Sequence, residues 1–362
     1  MAYKGLNNKT DAEAELALLA DENGRDVLLV LVKNTFDIAD DGSLSFSEEQ
    51  LPICMEGEYF EEPGQSSLKI APEANFDKLA TDVVLVGHAH APPSENDQPI
   101  VQFDVGLQVG NLRQHIRVFG DRVWEKRTTA NKIETWHMSA PQPIEKIPLI
   151  YENAFGGQDL SPEDEAFYAH EARNLLGKGV ISKHSQMEKV ALPNLEDPKQ
   201  LIKTTEDKPM PVSMGFVSPE WQPRLGFSGT YDKAWEKTRL PMLPLDFKRD
   251  FFNAAHPNLT AKGFLDGSEV VHIINACEQG KLSFQLPECE PSIAITFQYE
   301  EQKKLNVKLD TVMIDTDDMK LTMLWRATED VINRIYDMEE IVVDEKQEEQ
   351  KQIIPDDYEL MA

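Results

Sequence analysis

Apolar residues in this chain come in short, β-branched runs, each closed by Gly, Pro, Asn or Asp, and that rhythm restricts the fold more than any other feature. The runs at 27–33 (VLLVLVK) and 82–86 (DVVLV, ahead of Gly87) read as buried strands. Residues 100–105 and 114–119 flank the turn-like VGNLR as a hairpin candidate, and another extended piece follows at 122–126. Farther on, 269–275, 281–286, 292–298, 304–315 and 320–326 succeed one another with turn residues between them, including Gly280 and Pro287. The expected fold is mainly β: antiparallel sheets packed as a large sandwich-like structure with a few short helices.

Helix signals are fewer. Ser161-Pro162 followed by EDEAFYAHEARNLLGKG has a capping serine, Pro at the first position, early acids and a stop at Gly177, which predicts a helix. A second, shorter helix is expected over 231–239, capped by Asp232 and ended by Pro241. The proline-rich, polar stretch 192–211 reads as a long loop within one domain spanning 1–340, or as a break between two packed β layers. From Glu329 onward, 12 acidic residues stand against 3 basic ones, and 341–362 reads as a disordered acidic tail.

A formal net charge of −28 argues against nucleic-acid binding, because a phosphate backbone would be repelled. Three cysteines, Cys54, Cys277 and Cys289, offer neither a disulfide framework nor a CxxC zinc spacing. The first residues are polar and acidic, and no run of about 18 apolar residues occurs anywhere. The expectation is a cytoplasmic protein that does not engage a membrane.

Candidate sites are sparse. Residues 37–48, DIADDGSLSFSE, imitate a calcium loop, but Ala39 stands where a ligating oxygen belongs and a strand, not a helix, precedes it. A turn between two strands accounts for the same residues. In GHAHAP (87–92), His88 and His90 would point to one side of an extended segment and could share a metal. A catalytic zinc needs a third ligand, and no HExxH accompanies the pair. No GxSxG, P-loop or GxGxxG signature is present. In GDRVW, Asp121, Arg122 and Trp124 suggest a buried ion pair or an arginine–ring stack, and Arg224, Arg239 and Asp246 suggest the same.

The densest segment is 221–253, WQPRLGFSGTYDKAWEKTRLPMLPLDFKRDFFN, whose aromatics, prolines and arginines hold no nucleophile–base pair and no metal spacing. Such a segment points to recognition or scaffolding, with core the commoner fate of so many aromatics.

GHAHAP (87–92), VFGDRVW (118–124), IPLIYENAFGG (147–157), LPNLEDP (192–198), WQPRLGFSGTYDKAW (221–235), RLPMLPLDFKRDFFNAA (239–255) and LDGSEVVHI (265–273) occur in this order. Together they resemble a bacterial domain-of-unknown-function family encoded beside type VI secretion spike and toxin genes, over roughly residues 10–330. The chain departs from that pattern at Leu175-Leu176, where Pro-Val is usual, at Ser268, where Gly is usual, and at 256–259. The resemblance implies a non-enzymatic adaptor or chaperone without cofactor. Such an adaptor holds a secreted effector and helps load it onto the VgrG spike or a PAAR tip. The motif positions it singles out, as family positions with client contact left open, are His88 and His90, then Asp121, Arg122 and Trp124, then Tyr151, Glu152 and Phe155. In the dense segment they are Trp221, Arg224, Tyr231, Asp232, Trp235, Arg239, Asp246, Phe247 and Phe252. The competing reading is a metal-dependent hydrolase built on His88 and His90.

Overall fold

The computed structural model describes residues 5–76, 78–94, 98–128, 131 and 134–346. It is mainly β, built from antiparallel sheets with one short α-helix and several 3-10 turns. The central element is a six-stranded sheet. Its outer strand β2 (Glu13–Ala20) pairs with β3 (Asp26–Ile38), which pairs in turn with Lys320–Asp330. Val307–Asp315 and Asp82–Val86 complete the row, the last two parallel to each other, and the short β4 (Leu44–Phe46) joins the end of β3.

The continuous apolar run of β3 follows from its position. Leu28, Val30 and Val32 enter the main core on one face, while Leu29 and Leu31 meet Ile53 and Leu324 on the other. A strand covered on both faces has no use for alternation. The hairpin expected around VGNLR forms as Gln102–Val109 and Leu112–Phe119, inside a five-stranded sheet with Val270–Ile274, Lys281–Gln285 and Leu195–Glu196. One apolar cluster joins these sheets, from Ala12 to Val343, and it includes Leu195 within the 192–211 stretch and Val212 just after it.

Two expectations need correction. The helix predicted after Ser161 is absent: a 3-10 turn at Glu165–Phe167 gives way to Ala169–His170, paired with Gln158–Asp159. Side chains there hold the backbone in an irregular path. The Asp159 carboxylate accepts from the N–H groups of Ser161 (3.0 Å) and Ser182 (2.9 Å), and the Asn174 amide donates to the carbonyls of Tyr151 (2.7 Å) and Phe155 (3.0 Å). Residues 341–345, expected as tail, are strand instead. Met338–Glu345 is a strand lying parallel to β1 (Leu6–Asn8) and antiparallel to Pro291–Phe297, with Ile341 and Val343 fully buried. Its apolar core Ile341–Val343 lies between pairs of acids, so net charge concealed a half-buried strand. The remainder of the expected tail, 347–362, lies outside the described residues.

The calcium-like loop is a turn between β3 and β4. Gly42 has φ +86° and would drive a side chain into the Ser283 carbonyl, which explains the glycine without a metal. The Asp37 carboxylate is taken by Lys320.

Candidate functional site

The dense segment divides into a buried root and an exposed lobe. Trp221 is fully buried and meets the Tyr151 ring edge-on at 5.4 Å between centroids, and both belong to the main core. Arg224 is also buried, its Nε donating to the Phe251 carbonyl (3.0 Å), its Nη1 to the Val217 carbonyl, and its guanidinium lying 5.2 Å from the Phe251 ring. Burial pulls its pKa down to about 10, which leaves it charged at neutral pH. At the other end of the root, Phe252 is buried among Phe247, Phe251 and Phe76 at centroid distances of 5.4–5.8 Å.

Between these anchors the chain leaves the core. The helix α1 (Lys233–Thr238) forms where predicted, with the Asp232 side chain accepting from Ala234 N–H (2.9 Å) and Trp235 N–H (2.8 Å). Trp235 is half-buried, edge-on to Tyr231 at 4.7 Å, and its indole N–H donates to the Met242 carbonyl at 2.8 Å. Asp246 is exposed and closes the loop by accepting from the Thr230 N–H (3.0 Å) and hydroxyl (2.7 Å). Arg239 donates to the carbonyls of Leu243 (3.1 Å) and Glu22, while Arg249 reaches the Glu22 carboxylate at 3.2 Å. Gly24 sits against the Met242 sulfur. The lobe is therefore braced against the turn between β2 and β3.

The lobe exposes four large apolar side chains among its charged ones. Leu225 is 47% exposed, Tyr231 52%, Leu240 58% and Leu245 83%. Its charges balance: residues 225–251 hold five Lys or Arg against four Asp or Glu, a net of +1 in a chain of −28. The expectation that the aromatics are core holds at the root and fails at the tip.

The other motif positions are structural. Arg122 is buried, but its partners are Glu196 and the Pro193 carbonyl (2.7 Å), not Asp121, and the ring it covers is Phe119 at 3.7 Å, not Trp124. Asp121 is exposed and accepts from the Asn194 amide at 3.0 Å. Trp124 and Phe155 anchor a satellite cluster with Val180, Val190, Leu192 and Ile202. Glu152 accepts from the Ser67 N–H (2.6 Å) and hydroxyl.

His88 and His90 share one side of the His88–His90 strand, as the sequence implied, opposite Lys146–Pro148. His88 Nδ1 lies 2.6 Å from the Asp317 carboxylate. Burial and the nearby Lys146 ammonium hold the His90 imidazole below its usual range. Among the described residues no three His, Cys, Asp or Glu side chains come together as a metal site.

Sequence reasoning missed the ionic knot under the lobe. Lys78 Nζ lies 3.0 Å from Asp82 and 2.9 Å from Asp310, and Arg326 Nε lies 2.6 Å from Asp310, all buried. Burial alone would raise the Asp310 carboxyl, but Arg326 and Lys78 prevail and hold it at about 2. Asp82 also accepts from the Ala254 N–H (2.7 Å) and the Asn253 amide (3.0 Å), which pins the chain where the lobe returns to the core. Lys78 and Asp82 meet Asp310 and Arg326 from the other end of the chain, with no common motif, so only the fold reveals the knot.

Residues 23–326 match a family model described as an uncharacterized protein conserved in bacteria, DUF2169. The chain belongs to the DUF2169 family. The match takes in the whole lobe, its root and the ionic knot, and leaves out β1, β2 and the strand Met338–Glu345. No match was found among curated proteins or among solved structures. The positions that differ from the resembled motifs fall in different surroundings in this DUF2169 chain. Leu175 is exposed, whereas Asn174 and Gly177 beside it carry the local hydrogen bonds. His256, in the third departure, caps the turn Pro257–Leu259 by accepting the Asn258 N–H at 3.1 Å. Among the described residues no helix is long and apolar enough to cross a membrane.

Proposed function

We propose that this DUF2169 chain is a non-enzymatic adaptor that holds a type VI secretion effector and delivers it to a VgrG spike or PAAR tip. The carrying observation is the lobe at 225–251: three exposed leucines and Tyr231, relieved of the acidity of the surrounding chain and braced at both ends by buried anchors. Large apolar side chains left this open within one short segment suit contact with another protein. A rigid root with aromatic and leucine contacts is what a protein-binding hot spot needs, since little order is lost on binding. The acidic body complements a basic toxin and keeps the complex in solution. The ordered motifs supply the secretion context.

The test is co-expression with each effector encoded beside the gene. The expected result is a co-purifying complex that Leu240→Glu and Leu245→Glu together weaken by at least about tenfold, while the melting temperature stays within about 2 °C of wild type. A complex that survives both substitutions places the contact elsewhere on the molecule. No complex with any neighbour ends the adaptor reading.

A further inference from the structure

We infer that the partner also adds an extended strand to the free edge of β2, a contact that rests on the adaptor reading. β2 is the outer strand of the central sheet and pairs with β3 over all eight of its residues with no register shift. An antiparallel ladder uses the N–H and C=O groups of alternate residues, so half of the β2 backbone groups point away from the sheet. Among the described residues, no other strand and no side chain hydrogen-bonds the backbone of Glu13–Ala20.

Two other sheet edges are protected. The opposite edge of the same sheet, Asp82–Val86, is covered, with Leu85 N–H donating to the Met214 carbonyl at 2.8 Å. The Lys303–Lys304 edge is two residues long and both are lysine. β2, EAELALLA, contains no proline, no lysine and no bulge, the devices that discourage pairing along an edge.

The chemistry of the occupant follows from the side chains. Glu13 and Glu15 are exposed at one end, and Leu16–Ala20 carries no charge, with Leu18 half exposed. The matching strand has lysine or arginine beside the two glutamates and alternating apolar residues along the rest, since opposite charges across a strand pair attract. A second copy of this chain is opposed by its own net charge of −28. Position supports a single partner as well. β2 runs directly into the Asp21–Arg25 turn, and Arg239, Arg249 and Met242 of the lobe hold that turn. An eight-residue segment spans roughly 26 Å, so one polypeptide can line the edge and continue onto the lobe.

Hydrogen exchange of the full-length chain, alone and in complex with the co-expressed effector, tests this. The expected result is that outward-facing amides within Glu13–Ala20 exchange freely in the unbound chain and slow by at least about tenfold in the complex. Leu18→Lys, at an unchanged melting temperature, should weaken the complex by about tenfold. A complex that protects the lobe alone and tolerates Leu18→Lys overturns strand addition and leaves the adaptor reading standing. Absence of any complex overturns both. Protection of Glu13–Ala20 that rises with the chain's own concentration, together with a doubled mass, assigns the edge to a second copy and overturns the proposal.

Discussion

At the residue scale the molecule is stabilised by buried charges that the sequence does not announce. Lys78 is the centre of the knot, and Lys78→Met leaves Asp82 without its cation while Asp310 keeps Arg326. The expected cost is about 3–5 kcal/mol in urea unfolding, because an unpaired buried carboxylate remains. His256 supplies a pH effect. Burial holds its imidazole at about 4, below the unfolded value near 6.5, so the folded state favours the neutral ring. Stability from this group is complete above about pH 6.5 and is lost as the pH falls toward 4, reaching on the order of 3 kcal/mol. Relief of the chain's acidic self-repulsion works the other way over the same range. The difference between wild type and His256→Gln, followed by denaturant titration from pH 7 to pH 4, isolates the histidine. Arg122 shows what was legible at this scale: its burial and its ring stack could be read from GDRVW, but its partners could not. Glu196 and Phe119 are chosen by the neighbouring strands, not by the adjacent residues.

At the scale of elements, periodicity and caps were informative where a segment is self-sufficient. The hairpin around VGNLR and the helix capped by Asp232 form as local rules require. The predicted helix after Ser161 does not form: Asp159, outside the segment being read, takes the Ser161 N–H, and the Asn174 side-chain oxygen takes the Leu176 and Gly177 N–H groups. The aromatic segment was legible as unusual but not as divided, since composition does not tell a root from a tip. The division is measurable. Trp221→Ala should cost about 3–5 kcal/mol, as a large core deletion does. Trp235→Ala, at a half-buried site, should cost only about 1–2 kcal/mol. Equal losses in the two variants would show the lobe packed as tightly as the core. The turn at Gly42 gives a sharper case. Gly42→Ala combines a strained φ with a clash against the Ser283 carbonyl and should cost about 1–3 kcal/mol. Millimolar calcium should leave the melting temperature unchanged in either variant, because Asp37 is already paired with Lys320.

At the scale of the whole molecule, the fold class was readable and the way the chain closes on itself was not. The meander of short strands predicted antiparallel sheets, but no local signal places Leu6 beside Ile341 or Phe36 beside Leu321. Ending the chain at Asp337 removes Ile341 and Val343 from the core and strips the four-stranded sheet of its middle strand. The expected loss is at least about 4 kcal/mol by chemical denaturation, from two aliphatic side chains alone.

The pairing of β3 with Lys320–Asp330 has a consequence for biosynthesis. A ribosome releases VLLVLV almost three hundred residues before the segment that will shelter it, and at about 5–20 residues per second that interval lasts roughly 15–60 s. During translation the nascent polypeptide therefore carries this greasy ribbon with β2 alone beside it, its other edge bare until Lys320–Asp330 emerges.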